Sequence, residues 1–126
     1  MIRVLIVDDD ALVRAGLSMM LAGTDDIRVV AEASDGSEVA SAVDAFAPDV
    51  VLMDIRMPGM DGLAATERLR AREGAPQVIV LTTFDADDYV LRALRAGAAG
   101  FLMKDTPPPE IMRGTVSYTH LTLPTN

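Results

Sequence analysis

Five short strand-like runs, mainly apolar, set the frame of this chain, and each stops at residues that carry charge or a hydroxyl. Ile2 to Val7 stops at Asp8, Asp9 and Asp10, and Ile27 to Ala33 stops at Ser34. Val50 to Met53 runs into Asp54, Val78 to Leu81 into Thr82 and Thr83, and Phe101 to Met103 into Lys104. Between the runs the apolar spacing turns helical. Residues 11–22 carry Leu12, Leu17, Met20 and Leu21 on one stripe, and 37–46 carry Val39, Val43 and Phe46. Residues 63–72 and 86–96 are further helices, and Pro107, Pro108 and Pro109 introduce a last one. Strands without polar alternation need cover on both faces, as in a parallel sheet between two helical layers. With right-handed crossovers, the β-α pattern repeated five times predicts an α/β fold, a doubly wound five-stranded parallel sheet.

The length of 126 residues is that of one domain, and half the residues are hydrophobic. There is no cysteine, which excludes disulfides, thiolate catalysis and sulfur-ligated metal. The one histidine, His120, lies near the end, so an imidazole-based site in the body of the domain is excluded too. The net charge of −8 repels phosphate backbones and anionic lipid, so direct binding of DNA or a membrane surface is not expected. No apolar run approaches the roughly 20 residues that span a bilayer. The first ten residues do not read as an export signal, and the expected location is the cytoplasm.

Ligands of open parallel sheets bind beyond the carboxyl ends of the strands. That edge would collect Asp8, Asp9, Asp54, Thr82 and Lys104. The chain uses ten arginines and a single lysine, and that lysine is Lys104. A compact ammonium has been kept at this one position. Converging carboxylates repel one another unless a hard cation sits among them, and an oxygen-only donor set suits Mg²⁺, with Mn²⁺ as the alternative. A carboxylate can also be a nucleophile toward phosphorus. Such chemistry needs a divalent ion, a further cation and a hydroxyl donor around the phosphoryl oxygens. Asp10 reads instead as a helix N-cap. The cluster Asp85, Asp87 and Asp88 reads as a solvated helix start, and Met19, Met20, Met53, Met57, Met60 and Met103 as packing residues.

Three stretches carry a family likeness: VLIVDDD at 4–10, VVLMDIRMPGMDG at 50–62 and VIVLTTFDADDYVLRALRAGAAGFLMKD at 78–105. Over residues 2 to about 114 the chain resembles the receiver domain of two-component response regulators, within the NarL/FixJ (LuxR-type) group. The resemblance implies a flavodoxin-like strand order. It implies that Asp54 is the phosphoacceptor, charged by a sensor histidine kinase, and that Mg²⁺ is held by Asp8, Asp9, Asp54 and the backbone carbonyl of Arg56. Thr82 and Lys104 would stabilise the phosphoryl group, and Thr82 with Phe101 would form the conformational switch. Read alone, Phe101 is a core residue. Arg56 and Phe84 would fall at positions that tune phosphoryl lifetime. Asp105 follows Lys104 where many receivers carry a cis proline, a replacement usual in the NarL/FixJ group.

The resemblance also implies homodimerisation on phosphorylation and a helix-turn-helix DNA-binding domain in the parent protein. DNA would be reached only through that domain. The expected division is a receiver over 1–115 and a foreign-looking tail over 116–126. The tail string VSYTHLTLPTN is similar to a translated sequencing adapter, has poor helix propensity and would truncate the last helix. Two other readings compete. One is a small haloacid-dehalogenase-like phosphatase with Asp8 as nucleophile, and the other a pseudo-receiver acting by protein contacts alone.

Overall fold

The computed structural model describes residues 1–55, 61–82, 87–104 and 108–120. Strand and helix alternate along the chain: β1 Ile2–Val7, α1 Ala11–Leu21, β2 Ile27–Ala33, α2 Val39–Phe46 after a 3₁₀ turn at Gly36–Glu38, and β3 Val50–Asp54. Then come α3 Gly62–Arg70, β4 Gln77–Thr82, α4 Asp87–Arg95, β5 Gly100–Met103 and α5 Pro108–His120. All strand pairs are parallel, and the sheet order is β2-β1-β3-β4-β5. This is the flavodoxin-like order.

The absence of polar alternation has a direct structural cause. Successive side chains of a strand point to opposite faces, and along β1, β3 and β4 both faces are dry, whereas Arg28 and Glu32 of the edge strand β2 are exposed. Leu5, Val7, Val51, Met53, Val78 and Val80 pack on one side with Val39 of α2, Leu63 and Leu69 of α3 and Ala93 of α4. Val4, Ile6, Val50, Leu52, Ile79 and Leu81 pack on the other with Leu17 and Leu21 of α1 and Ile111 of α5. Each fully buried aliphatic side chain contributes about 1.5–3 kcal/mol of transfer free energy, so the three inner strands hold most of the driving force.

Register then places the functional edge. Val7 pairs with Met53, Asp54 with Leu81 and Thr82 with Met103. Asp8 and Asp54, each one residue beyond the Val7–Met53 pair, therefore emerge side by side. Lys104, one residue beyond Met103 of β5, follows two strands further out, across β4.

Several expectations need correction. Leu12 is 81% exposed, because the buried stripe of α1 runs through Leu17 and Leu21 with Val13 and Met20 beside it. Phe46, at the last position of α2, is exposed, and Val39, Ala42 and Val43 carry that helix's packing. Met19 is also exposed and is not a packing residue, unlike the fully buried Met53. Helix α5 does not stop at the low-propensity stretch but continues to His120, a run of 13 residues. Burial of Ile111 and Thr115 and the packing of Val116 on the core outweigh propensity there. Residues 121–126 lie outside the described residues, as do Arg56, Met57, Met60, Thr83, Phe84, Asp85 and Asp105.

Candidate functional site

Asp8 is fully buried at the end of β1, and every polar group it owns has a neighbour. Its N–H donates to the Ala33 carbonyl at 3.1 Å, tying it to β2. Its Oδ1 accepts from the Asp10 N–H at 2.9 Å. Its Oδ2 lies 2.7 Å from Lys104 Nζ, an ion pair that lacks directed hydrogen-bond geometry. Asp10 turns away from this cluster. Its carboxylate accepts from the Leu12 N–H and caps α1, as its place before the helix predicts.

Asp54, buried at the end of β3, presents Oδ1 to Lys104 Nζ at 3.2 Å. One ammonium thus bridges two buried carboxylates from neighbouring strands. Carboxylate oxygens of Asp8, Asp9 and Asp54 all lie within 4.8 Å of one another, with Asp9 exposed at the rim. Three carboxylates around one ammonium leave two negative charges uncompensated.

The ionisation of the site follows from burial first and from this imbalance second. Burial, and next the charge of Asp8, push the Asp54 carboxyl above its ordinary value, against the pull of Lys104. Burial acts to lower the Lys104 ammonium, but the carboxylates of Asp8 and Asp54 outweigh it and leave its pKa raised.

The donors present fit a hard divalent cation. They are oxygen only, they converge, they carry excess negative charge, and the buried Asp8 Oδ2 has no directed hydrogen bond. Of the other expected site residues, Thr82 ends β4 next to this edge, with only its backbone described, and Arg56 lies outside the described residues. Phe101 is half-buried and packs against the core on the α2–α3–α4 side. Ser34, at the end of β2, is not part of the cluster; its hydroxyl donates to Glu38 at 2.8 Å.

Two contributors were not visible as such in the sequence. Gly62, which reads as a turn former, opens α3 directly against Asp54, where a Cβ would meet the Asp54 carbonyl oxygen at 1.9 Å. Arg14 reaches back across the start of α1 and donates to the Asp8 carbonyl oxygen at 2.6 Å.

The sequence profile of the response regulator receiver domain matches residues 4–115. The chain belongs to the response regulator receiver family. This receiver is 46% identical over 111 residues to the transcriptional regulatory protein LiaR of Bacillus subtilis, covering 88% of the receiver and 53% of LiaR. It is 42% identical over 113 residues to the response regulator GacA of Pseudomonas viridiflava, covering 90% and 53%. The receiver therefore spans about half the length of the curated relatives it matches. Its fold superposes on the signal receiver domain of NarL from Mycobacterium tuberculosis with a TM-score of 0.90 at 37% identity, covering 95% and 97% of the two chains. The receiver family is a signalling domain rather than a classical enzyme. No described helix of this receiver is long and apolar enough to cross a membrane.

Proposed function

We propose that this receiver accepts a phosphoryl group on Asp54 from a phosphohistidine of a sensor kinase and switches conformation to control an output. The observation that supports the reading best is the Lys104 ammonium between the buried carboxylates of Asp8 and Asp54. In the proposed step an Asp54 carboxylate oxygen attacks phosphorus while the P–N bond breaks, and its electron pair leaves with the imidazole. The product is an acyl phosphate on Asp54. Asp8, Asp9 and Asp54, with the Arg56 carbonyl, would hold Mg²⁺ (or Mn²⁺), which supplies charge neutralisation at the phosphoryl oxygens.

Lys104 pairs with a phosphoryl oxygen as the charge on Asp54 passes outward. The Thr82 hydroxyl donates to another, and the space it leaves is taken by Phe101 turning inward. This is a population shift biased by a local change of charge. The output is transcription, through a DNA-binding domain in the parent protein beyond a receiver at 1–115. That assignment draws on relatives named as transcriptional regulators. The cytoplasm is the expected location.

Intact mass after incubation with acetyl phosphate tests the reading, with Mg²⁺ or chelator, on wild type and Asp54→Ala. The expected result is one phosphoryl adduct that requires Mg²⁺ and disappears in Asp54→Ala. An adduct that survives the substitution would indicate Asp8 as the nucleophile. No adduct on folded wild type would leave a pseudo-receiver.

A further inference from the structure

We infer that Arg14 is a positioning residue for the cation site, clamping the Asp8–Asp9 peptide from α1, and that Glu32 holds Arg14 in place. The inference rests on the cation site proposed above and concerns what orients one of its ligands. Among the described residues, no hydrogen bond holds the exposed Asp9 carboxylate, so the point from which it reaches the site is set by its backbone. That backbone leaves Asp8 through one peptide plane, and the carbonyl of that plane is where Arg14 Nη1 donates, at 2.6 Å.

The guanidinium is itself fixed. Its Nε lies 3.3 Å from Glu32 Oε1, and the Arg14 side chain is only 19% exposed. Ser18, one turn along α1, donates to the other Glu32 oxygen at 3.4 Å. Glu32 is carried on β2, where its backbone pairs with Ile6 in the β1–β2 ladder and its side chain stands partly exposed beside α1. Asp8 is thus gripped on both sides of its backbone, by the Ala33 carbonyl at its N–H and by Arg14 at its C=O.

A guanidinium suits this post because its several N–H groups point in fixed directions and can serve two acceptors at once. An ammonium at the same place reaches either the carbonyl or Glu32 with proper geometry. Groups that orient ligands from outside the donor set commonly shift metal affinity by about ten- to a hundredfold.

The test is Mn²⁺ binding by the full chain with no phosphodonor, followed by the electron paramagnetic resonance signal of free Mn²⁺. The proteins are wild type, Arg14→Met, Arg14→Lys and Glu32→Gln, each also melted in chelator. We expect the Mn²⁺ Kd of Arg14→Met to rise about tenfold, with Arg14→Lys and Glu32→Gln in between. A folded Arg14→Met with a Kd within about twofold of wild type overturns the inference, even if its melting temperature falls; that pattern is a purely structural arginine. If Arg14→Met does not fold, wild-type affinity in both Arg14→Lys and Glu32→Gln overturns it equally. Wild type that binds no Mn²⁺ overturns the cation site itself, an outcome separable from the others because it needs no variant.

Discussion

Gly62 rests against the backbone of Asp54 so closely that a Cβ would stand 1.9 Å from the Asp54 carbonyl oxygen and 2.8 Å from its carbonyl carbon. The contact is backbone to backbone, so no rotamer change relieves it. The Gly62 N–H also donates to the Ile55 carbonyl at 2.8 Å, which fixes the start of α3 beneath the end of β3. Gly62→Ala must displace one of these segments. Expected are a loss of about 2–4 kcal/mol in urea unfolding and a lower yield of phosphoryl adduct. Unchanged stability together with a wild-type yield would contradict the contact.

Lys104 offsets charge on two buried carboxylates at once. Lys104→Met leaves Asp8 and Asp54 facing each other without a cation. Removing one partner of a buried ion pair costs about 3–5 kcal/mol, and the partial exposure of Lys104 brings the expected loss in chelator to about 2–3 kcal/mol. A bound divalent ion would restore about 2.7 kcal/mol at a hundredfold excess over its Kd. Thermal melts with chelator and with Mg²⁺ check both halves. A variant as stable as wild type in chelator would show that the bridge contributes nothing.

The raised pKa of Asp54 makes a signed prediction for the ion-free protein. The folded state keeps the Asp54 proton to higher pH than the unfolded chain, whose value is near 3.8. The associated stability is present below that value and is lost as pH rises through the folded pKa. Asp54→Asn removes the charge and with it this loss. In chelator the variant should melt above wild type at neutral pH, by about 3–5 °C for each 1 kcal/mol, and the difference should shrink toward pH 3.8. A wild type that melts higher at neutral pH would refute the sign.

The strand-end residues were legible because they sit where apolar runs break off, and a parallel sheet brings all such breaks to one edge. Asp10 was legible as a cap because capping is local. Arg14 was not, since its bond to Asp8 depends on a side chain folding back over a helix start, which no spacing rule encodes. Gly62 was legible only as a turn, because its contact with Asp54 depends on how two segments close on each other. Leu12 and Phe46 misled for a related reason: a helical stripe gives the period of burial, while the packing of neighbouring elements decides where along the helix burial stops.

Ala47 ends α2 in the left-handed region, at φ 46° and ψ 59°. Arg3 secures this end, with Nη2 donating to the Phe46 carbonyl at 2.5 Å and Nε to the Ala47 carbonyl at 3.3 Å. Ala47→Gly keeps both acceptors and relieves a conformation that costs an L-residue about 1–2 kcal/mol. The greater freedom of glycine in the unfolded chain returns about 0.4–1 kcal/mol of that gain. The net expectation is a stabilisation of about 0.5 kcal/mol, read as a higher urea midpoint at constant slope. A lower midpoint would mean that the left-handed conformation is not strained here.

The three strands that lead into Asp8, Asp54 and Lys104 are not equally anchored. β1 and β3 each have a strand on both sides, whereas among the described residues the four-residue β5 is bonded to β4 alone. The carboxylates therefore stand on a fixed bench, while the ammonium opposite them is mounted on a short rail clamped along one edge. Whatever alters the charge between them will do its mechanical work on the rail, and the displacement will surface at β5 and at the helices that lean on it.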